Sequence, residues 1–120
     1  MTLQACYDAL GGNYENVFGR LRSENLIKKF ALKFLDDPSF ATLQAAMADQ
    51  DQPTAFRAAH TIKGVCSNLG FDRLYESSNR LTETLRDSWS AEAEPLFHQV
   101  AADYEATVNA LQAYQASLPV

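Results

Sequence analysis

The sequence predicts an all-α protein, an antiparallel up-and-down four-helix bundle with additional short helices at its N-terminus. Its 120 residues contain only five glycines and four prolines, and no segment alternates apolar and polar residues between turn signals as a strand does. Several segments repeat apolar residues at steps of three and four, which is typical of amphipathic helices. Short connections between successive long helices favour antiparallel neighbours. We therefore expect one domain to span residues 1–120.

Three short helices are expected before the bundle. The first covers residues 2–10 and ends at a double glycine, and the second covers residues 14–21. Ser23 is expected to cap a third helix, which Pro38 and the two aspartates before it terminate. The apolar face expected for this third helix consists of Leu26, Ile27, Phe30, Ala31, Phe34 and Leu35.

Four longer segments follow, and each carries an apolar stripe. They cover residues 39–49, 53–69 and 72–87, and a last helix after Ser90. Pro53 and Pro95 fall in first turns, where the missing N–H costs little. The expected inward residues are Phe40, Leu43, Ala46 and Met47, then Leu74, Ser78, Leu81 and Leu85, then Leu96, Val100, Tyr104, Val108, Leu111 and either Tyr114 or Gln115. Asp72 and Ser90 are the expected caps of the last two helices.

Composition excludes several classes of function. The net charge of -5 has the wrong sign for a protein that binds a phosphate backbone, so nucleic acid is not an expected partner. Two distant cysteines, Cys6 and Cys66, fit neither a disulfide framework nor a zinc site, and they indicate a reducing, cytoplasmic setting. No apolar run reaches the ~20 residues that span a bilayer, and the first residues do not resemble a signal peptide. We expect a protein that is soluble, unprocessed and free of metal.

The segment 53–69 carries the unusual chemistry. At about 100° per residue, one arc of this helix is apolar and forms the expected core face, with Ala55, Ala58, Ala59, Ile62, Val65, Cys66 and Leu69. His60, Gly64 and Ser67 fall on the opposite side, flanked by Lys63 and Phe56. Gly64 inside a helix costs about 1 kcal/mol relative to alanine. Local rules are broken mostly where function demands it.

Each residue on this outward face suits phosphoryl chemistry. An imidazole is largely unprotonated near pH 7 and is therefore a nucleophile, so His60 can accept a phosphoryl group. Lys63, one turn away, is placed to offset the negative charge on the transferred group. Gly64 removes a side chain that would obstruct the donor. Such a shallow face of small residues suits a protein partner better than a small molecule.

These residues resemble the signature of histidine-containing phosphotransfer (HPt) domains. Residues 58–70 read AAHTIKGVCSNLG, similar to that family's H-x-x-K-G followed by a small residue and Asn-Leu-Gly. The likeness extends to Phe30 and Phe34 in an earlier helix, and to Leu74 and Leu81 after the motif. The resemblance implies that His60 is phosphorylated, that Lys63 stabilises charge and that Gly64 gives clearance. It also implies that Asn68 belongs to the turn orienting the helix pair.

One position departs from the family pattern. Family members often carry Gln or Glu one helix later, where that side chain orients the imidazole, and here the matching position is Thr82, with Glu83 beside it. The short Thr82 side chain could orient the His60 imidazole only through a bridging water or if the two residues lay closer together. We expect Thr82 to be a solvated residue and include it with Phe56, Arg57, Ser67 and Asn68 among the candidate docking residues.

The resemblance implies an intermediate in a phosphorelay. His60 would take a phosphoryl group from an aspartyl phosphate on a receiver domain, including that of a hybrid sensor kinase, and pass it to a response-regulator receiver. The Mg²⁺ would belong to the receiver, and this chain needs no cofactor of its own. No nucleotide-binding motif occurs, so autophosphorylation from ATP is not expected. A monomer is the default expectation for one docking face on a small chain.

Other interpretations remain open at this level. The chain could be a helical adaptor that binds receivers without transferring phosphate, or the substrate domain of a chemotaxis-type kinase, although Met1 and the ending Leu-Pro-Val suggest a self-standing protein. Most single histidines are only solvated, and it is the combination with Lys63 and Gly64 that favours function. Phe56 fits the core edge as well as a docking role. His98 has neither a Lys nor a Gly at the matching spacing, and Cys66 is expected in the core.

Overall fold

Helices account for nearly all regular structure in the computed structural model, which describes residues 1–119. Within that range there are seven α-helices, one 3₁₀ turn (Phe34–Asp36) and no strand, so the all-α prediction is confirmed. The helices are α1 (Leu3–Leu10), α2 (Tyr14–Leu21), α3 (Glu24–Lys33), α4 (Ser39–Ala48), α5 (Gln52–Leu69), α6 (Asp72–Thr84) and α7 (Ala93–Ala116). No helix in the described part is both long and apolar enough to cross a membrane.

Side-chain caps fix several of these helix ends. The Ser23 hydroxyl accepts a hydrogen bond from the Leu26 N–H at 3.2 Å, as predicted. Asp51 caps α5 in the same way, by accepting from the Thr54 N–H. At the other end of α5, Gly70 adopts a left-handed conformation with φ 69° that a residue with a Cβ rarely accepts. The position of α5, and with it the outward face, is therefore determined locally at both ends.

The last two helices begin or end differently from the prediction. Helix α6 has Phe71, not Asp72, at its N-cap, and it ends at Thr84 instead of continuing to residue 87. Helix α7 begins at Ala93, and Ser90 lies in the preceding turn, where its hydroxyl accepts a hydrogen bond from the Glu92 N–H. Side-chain hydrogen bonds of Ser with its own neighbours compete with the helix in this way.

Helix α5 lies between α4 and α6, while α7 packs against α6 on one side and α1 on the other. Aromatic contacts join the N-terminal helices to the four helices α4 to α7. The Phe71 ring lies 5.6 Å from the Tyr7 ring and 5.4 Å from the Phe34 ring, measured between ring centroids. The buried Tyr7 hydroxyl donates to the Leu69 carbonyl at 2.7 Å. The N-terminal helices thus hold the C-terminal end of α5 in place.

Several predicted core faces need correction. In α3, Ile27 and Ala31 are buried, whereas Leu26 and Phe30 are 41% and 40% exposed because only one narrow stripe of this short helix faces the core. In α7, Tyr114 is buried and Gln115 is exposed. The predicted α6 stripe is correct, since Leu74, Ser78, Leu81 and Leu85 are all buried. Phe40, Leu96, Tyr104 and Val108 are only half-buried.

Two polar residues lie unexpectedly inside the α7 interface. Asp103 is buried and accepts a hydrogen bond from the Gln99 amide at 3.1 Å, and Thr107 is buried and donates to the Asp103 carbonyl at 2.8 Å. Each therefore has a partner, as buried polar groups require.

Candidate functional site

The outward face of α5 follows the predicted helical arrangement. His60, Gly64 and Ser67 are exposed, while Ile62, Cys66 and four other residues of the predicted arc are buried. Val65 is the exception, because it lies half-buried at the edge of the arc. His60 is therefore accessible to a macromolecular partner, whereas burial raises the pKa of the Cys66 thiol and keeps this cysteine in its protonated, unreactive form.

Gly64 opens the surface beside His60. Apart from its two chain neighbours and the nearby backbone of its own helix, no atom of the described residues lies within 4 Å of a Cβ added at Gly64. The fold thus offers no packing reason for glycine at this position. The open space lies one turn from the imidazole, on the same exposed face of α5.

Lys63 faces a carboxylate on the neighbouring helix. Its Nζ lies 3.9 Å from Oε1 of Glu83 in α6. The Arg86 guanidinium holds the same carboxylate with two hydrogen bonds, of 2.8 and 3.1 Å. Glu83 therefore bridges two cations, one on each side of the α5–α6 interface.

Aromatic contacts link this charged group back to the imidazole. The guanidinium carbon of Arg86 lies 5.2 Å from the centroid of the Phe56 ring, within the range of a cation–π contact. The Phe56 ring centroid lies 6.0 Å from that of His60. We call His60, Phe56, Lys63, Glu83 and Arg86 the charged cluster.

The hydrogen bonds from Arg86 dominate the electrostatics of the charged cluster. They lower the pKa of the Glu83 carboxyl, and the positive charges of Arg86 and Lys63 and the nearby His60 lower it further. The same pairing raises the pKa of Arg86. Glu83 is consequently a carboxylate over the whole neutral range. Sequence reasoning singled out Thr82 and only noted Glu83, although Glu83 and Arg86 have the i,i+3 spacing at which opposite charges can pair.

The structure corrects the expectation for Thr82. This residue is fully buried, and its hydroxyl donates to the Ser78 carbonyl one turn earlier at 2.7 Å. A side chain without exposed surface cannot contact a partner, so its inclusion among docking residues was wrong. One step along a helix turns the side chain by about 100°. That step separates the buried Thr82 from Glu83, which faces the site.

The remaining candidate docking residues lie on the surface of α5. Arg57, Ser67 and Asn68 are exposed, and Phe56 is half-buried. Arg20 of α2 donates to the carbonyls of Ser67 and Asn68 at 3.2 and 3.0 Å, so α2 borders this end of the face.

An apolar groove of about 570 Å³ lies between the N-terminal helices and this end of α5. Its lining includes Leu21, Phe30, Val65 and Asn68. Sequence reasoning missed it because it placed Phe30 in the core.

The second histidine lies apart from this site. Within residues 1–119, no three His, Cys, Asp or Glu side chains lie close enough together to hold a metal ion. His98 is exposed near the start of α7, on a different helix from His60.

Comparison with known proteins identifies the family. The family model described as Hpt domain matches residues 37–114, which is well over half of the chain and includes α4, α5 and α6 with the whole charged cluster. No curated protein and no solved structure gave a significant match. The resemblance carried by residues 58–70 is thereby confirmed, and the chain belongs to the Hpt domain family, the histidine-containing phosphotransfer domains of phosphorelays.

Proposed function

We propose that this protein carries a phosphoryl group on His60, accepts it from the aspartyl phosphate of one receiver domain and passes it to the aspartate of another. The observation that supports this most is the outward face of α5, where an exposed His60 has Lys63 and an unobstructed Gly64 one turn away. No ATP-dependent kinase activity is part of the proposal.

The transfer is a displacement at phosphorus. The lone pair of an unprotonated His60 ring nitrogen forms the N–P bond while the P–O bond to the receiver's aspartate breaks, and the bonding electrons leave with the freed carboxylate. The second ring nitrogen keeps its hydrogen, so the positive charge gained by the ring balances the negative charge on that carboxylate. The reverse displacement delivers the group to the next receiver.

The neighbouring residues have separate roles in this proposal. Lys63 offsets the charge that spreads over the phosphoryl oxygens during transfer. Gly64 lets the receiver approach the ring. Phe56, Arg57, Ser67 and Asn68 contact the receiver, whose own acidic site is expected to hold the Mg²⁺.

The wider setting is proposed on the same basis. We propose that residues 1–120 form one domain, in which α4 to α7 make an antiparallel up-and-down bundle and α1 to α3 are additional. The contacts of α5 with α4 and α6, and of α6 with α7, support this arrangement. We further propose a cytoplasmic monomer that links a hybrid sensor kinase to a response regulator, with no nucleic acid or membrane partner.

Two successive transfer reactions, onto this protein and from it, test the proposal. Purified protein is incubated with a phosphorylated receiver domain, isolated, and then mixed with a second, unphosphorylated receiver. We expect the phosphoryl group to move from the first receiver to this protein and then from this protein to the second receiver. While it is bound to this protein, the group should be labile in acid and stable in base, as a phosphoramidate is. Binding of both receivers without any labelling would contradict the proposal and indicate an adaptor.

A further inference from the structure

We propose that Lys63 and Arg86 form a two-cation phosphoryl site that the Glu83 carboxylate fills while His60 is unphosphorylated. The inference rests on the proposed function, since it concerns the phosphoryl group carried by His60. On phosphorylation, the new oxygens take over hydrogen bonds that Glu83 accepts in the free protein. Glu83 is therefore a competitor for the phosphoryl group, and Arg86 is a second group that stabilises it.

The geometry of Glu83 supports this role. A carboxylate held by a bidentate arginine and approached by a lysine has the partners that a phosphoryl group prefers. The contact with Lys63, at 3.9 Å, is the looser of the two and is the easier to exchange. Both cations are thus held at one carboxylate before any phosphoryl group arrives.

The Phe56 ring contacts both Arg86 and the imidazole. The guanidinium lies 5.2 Å from the Phe56 ring, and that ring lies beside His60 on the same helix. This contact does not use the guanidinium hydrogens, so Arg86 can turn its donors from Glu83 to the phosphoryl oxygens while it stays over the ring. Lys63 reaches the same region from one turn further along α5.

Opposite effects of two substitutions distinguish competition from a structural role. Under competition, Glu83→Gln removes the competing charge and favours His60 phosphorylation, whereas Arg86→Gln removes a stabilising cation and disfavours it. If the Glu83–Arg86 pair had only a structural role at the end of α6, both variants would shift phosphorylation in the same direction. Exposed ion pairs contribute little, so the expected shifts are modest, about threefold in each direction.

The experiment measures phosphorylation of His60 with two donors. One is phosphoramidate, a small molecule that phosphorylates imidazole directly, and the other is a phosphorylated receiver domain. Initial rates with phosphoramidate and equilibrium ratios with the receiver are compared for wild type, Glu83→Gln and Arg86→Gln. Glu76→Gln and Arg80→Gln are matched controls, because both residues are exposed on α6 and make no ion pair within the described residues.

We expect Glu83→Gln to raise, and Arg86→Gln to lower, both quantities about threefold, with both controls within the error of wild type. Shifts in the same direction, or a Glu76→Gln effect equal to that of Glu83→Gln, would overturn the inference. A labelled wild type with no change across the series overturns the inference and leaves the proposed function standing. A wild type that neither donor labels on His60 overturns both.

Discussion

The hydroxyl of Thr82 donates a hydrogen bond to the carbonyl of Ser78, 2.7 Å away inside the α5–α6–α7 packing, and Thr82 exposes no surface. The residue that the family pattern suggests for orienting the imidazole is therefore a core residue in this chain. Glu83, one position later, lies at the surface and faces Lys63.

Replacing Thr82 with glutamine is expected to destabilise the fold. The longer side chain has no room in the packed interior, and overpacking costs about 1–3 kcal/mol. Thr82→Val keeps the shape and loses one hydrogen bond whose acceptor lies within the helix, at a cost of about 1 kcal/mol. Urea unfolding of the three proteins measures both costs. A Thr82→Gln variant as stable as wild type would show that this site is less tightly packed than described.

Replacing Gly64 is expected to have opposite effects on the stability of the fold and on the rate of phosphoryl transfer. Gly64→Ala places a methyl group in open space and should stabilise α5 by about 0.5–1 kcal/mol. Under the proposed function, the same methyl group would stand where a receiver approaches, and a displacement of about 1 Å is enough to slow transfer from a receiver tenfold or more. Thermal unfolding and receiver-transfer rates are the two measurements.

Gly19 in α2 provides the control for Gly64. Among the described residues, a Cβ at Gly19 also meets nothing within 4 Å beyond its chain neighbours and the nearby backbone of its own helix. Gly19→Ala should therefore stabilise the fold similarly and leave transfer unchanged. Equal transfer rates for the Gly64 and Gly19 variants would remove the clearance role assigned to Gly64.

Alkaline pH is expected to destabilise the fold, because two buried thiols and a buried tyrosine hydroxyl resist losing their protons. Burial raises the pKa of Cys6 from 9.0 to about 11, and burial likewise raises the pKa of Cys66 and Tyr7. Above pH 9 the unfolded chain loses its Cys6 proton while the folded chain keeps it, so the unfolding free energy falls as pH rises towards about 11. Below pH 9 this contribution is constant.

The measurement for this pH dependence is urea unfolding at neutral pH and at steps between about pH 9 and 11. Cys6→Ala should reduce the slope in that range, because one of the titrating groups is gone. An unfolding free energy that stays flat over the range would mean that these thiols ionise as easily in the folded protein as in the unfolded chain.

The hydrogen bond from Tyr7 to the Leu69 carbonyl should contribute measurably to stability. Both groups are buried, and Tyr7→Phe leaves the carbonyl without this donor, at a cost of about 1–2 kcal/mol. Tyr75→Phe is the control, since Tyr75 is half-buried and its hydroxyl forms no hydrogen bond within residues 1–119. Equal stability of the two variants would show that α1 does not anchor the end of α5 through this bond.

Helical periodicity was sufficient to predict the outward face of α5, because its apolar arc is wide and its caps are strong. It placed His60 and Gly64 on the surface and Cys66 in the core, as the structure has them. It failed where a single step of about 100° decides burial, as between Thr82 and Glu83. Sequence spacing on α6 alone does not reveal which of two adjacent residues meets α5.

The prediction of the buried face of α3 was wrong for a different reason. Its apolar residues at steps of three and four cover a broader arc than the core accepts, so Phe30 and Leu26 remain about 40% exposed. How much of an apolar stripe is buried depends on the neighbours, here α2, α5 and α7. The groove lined by Phe30 follows from that tertiary arrangement and has no local signal.

Intact-mass analysis after incubation with a phosphorylated receiver tests the central claim most directly. The chain has two histidines, so His60→Gln and His98→Gln form a matched pair. We expect wild type and His98→Gln each to gain one phosphoryl group and His60→Gln to gain none, with all three folded by circular dichroism. Labelling of His60→Gln, or a folded wild type that several phosphorylated receivers leave unlabelled, would contradict the assignment of His60 as the phosphoryl carrier.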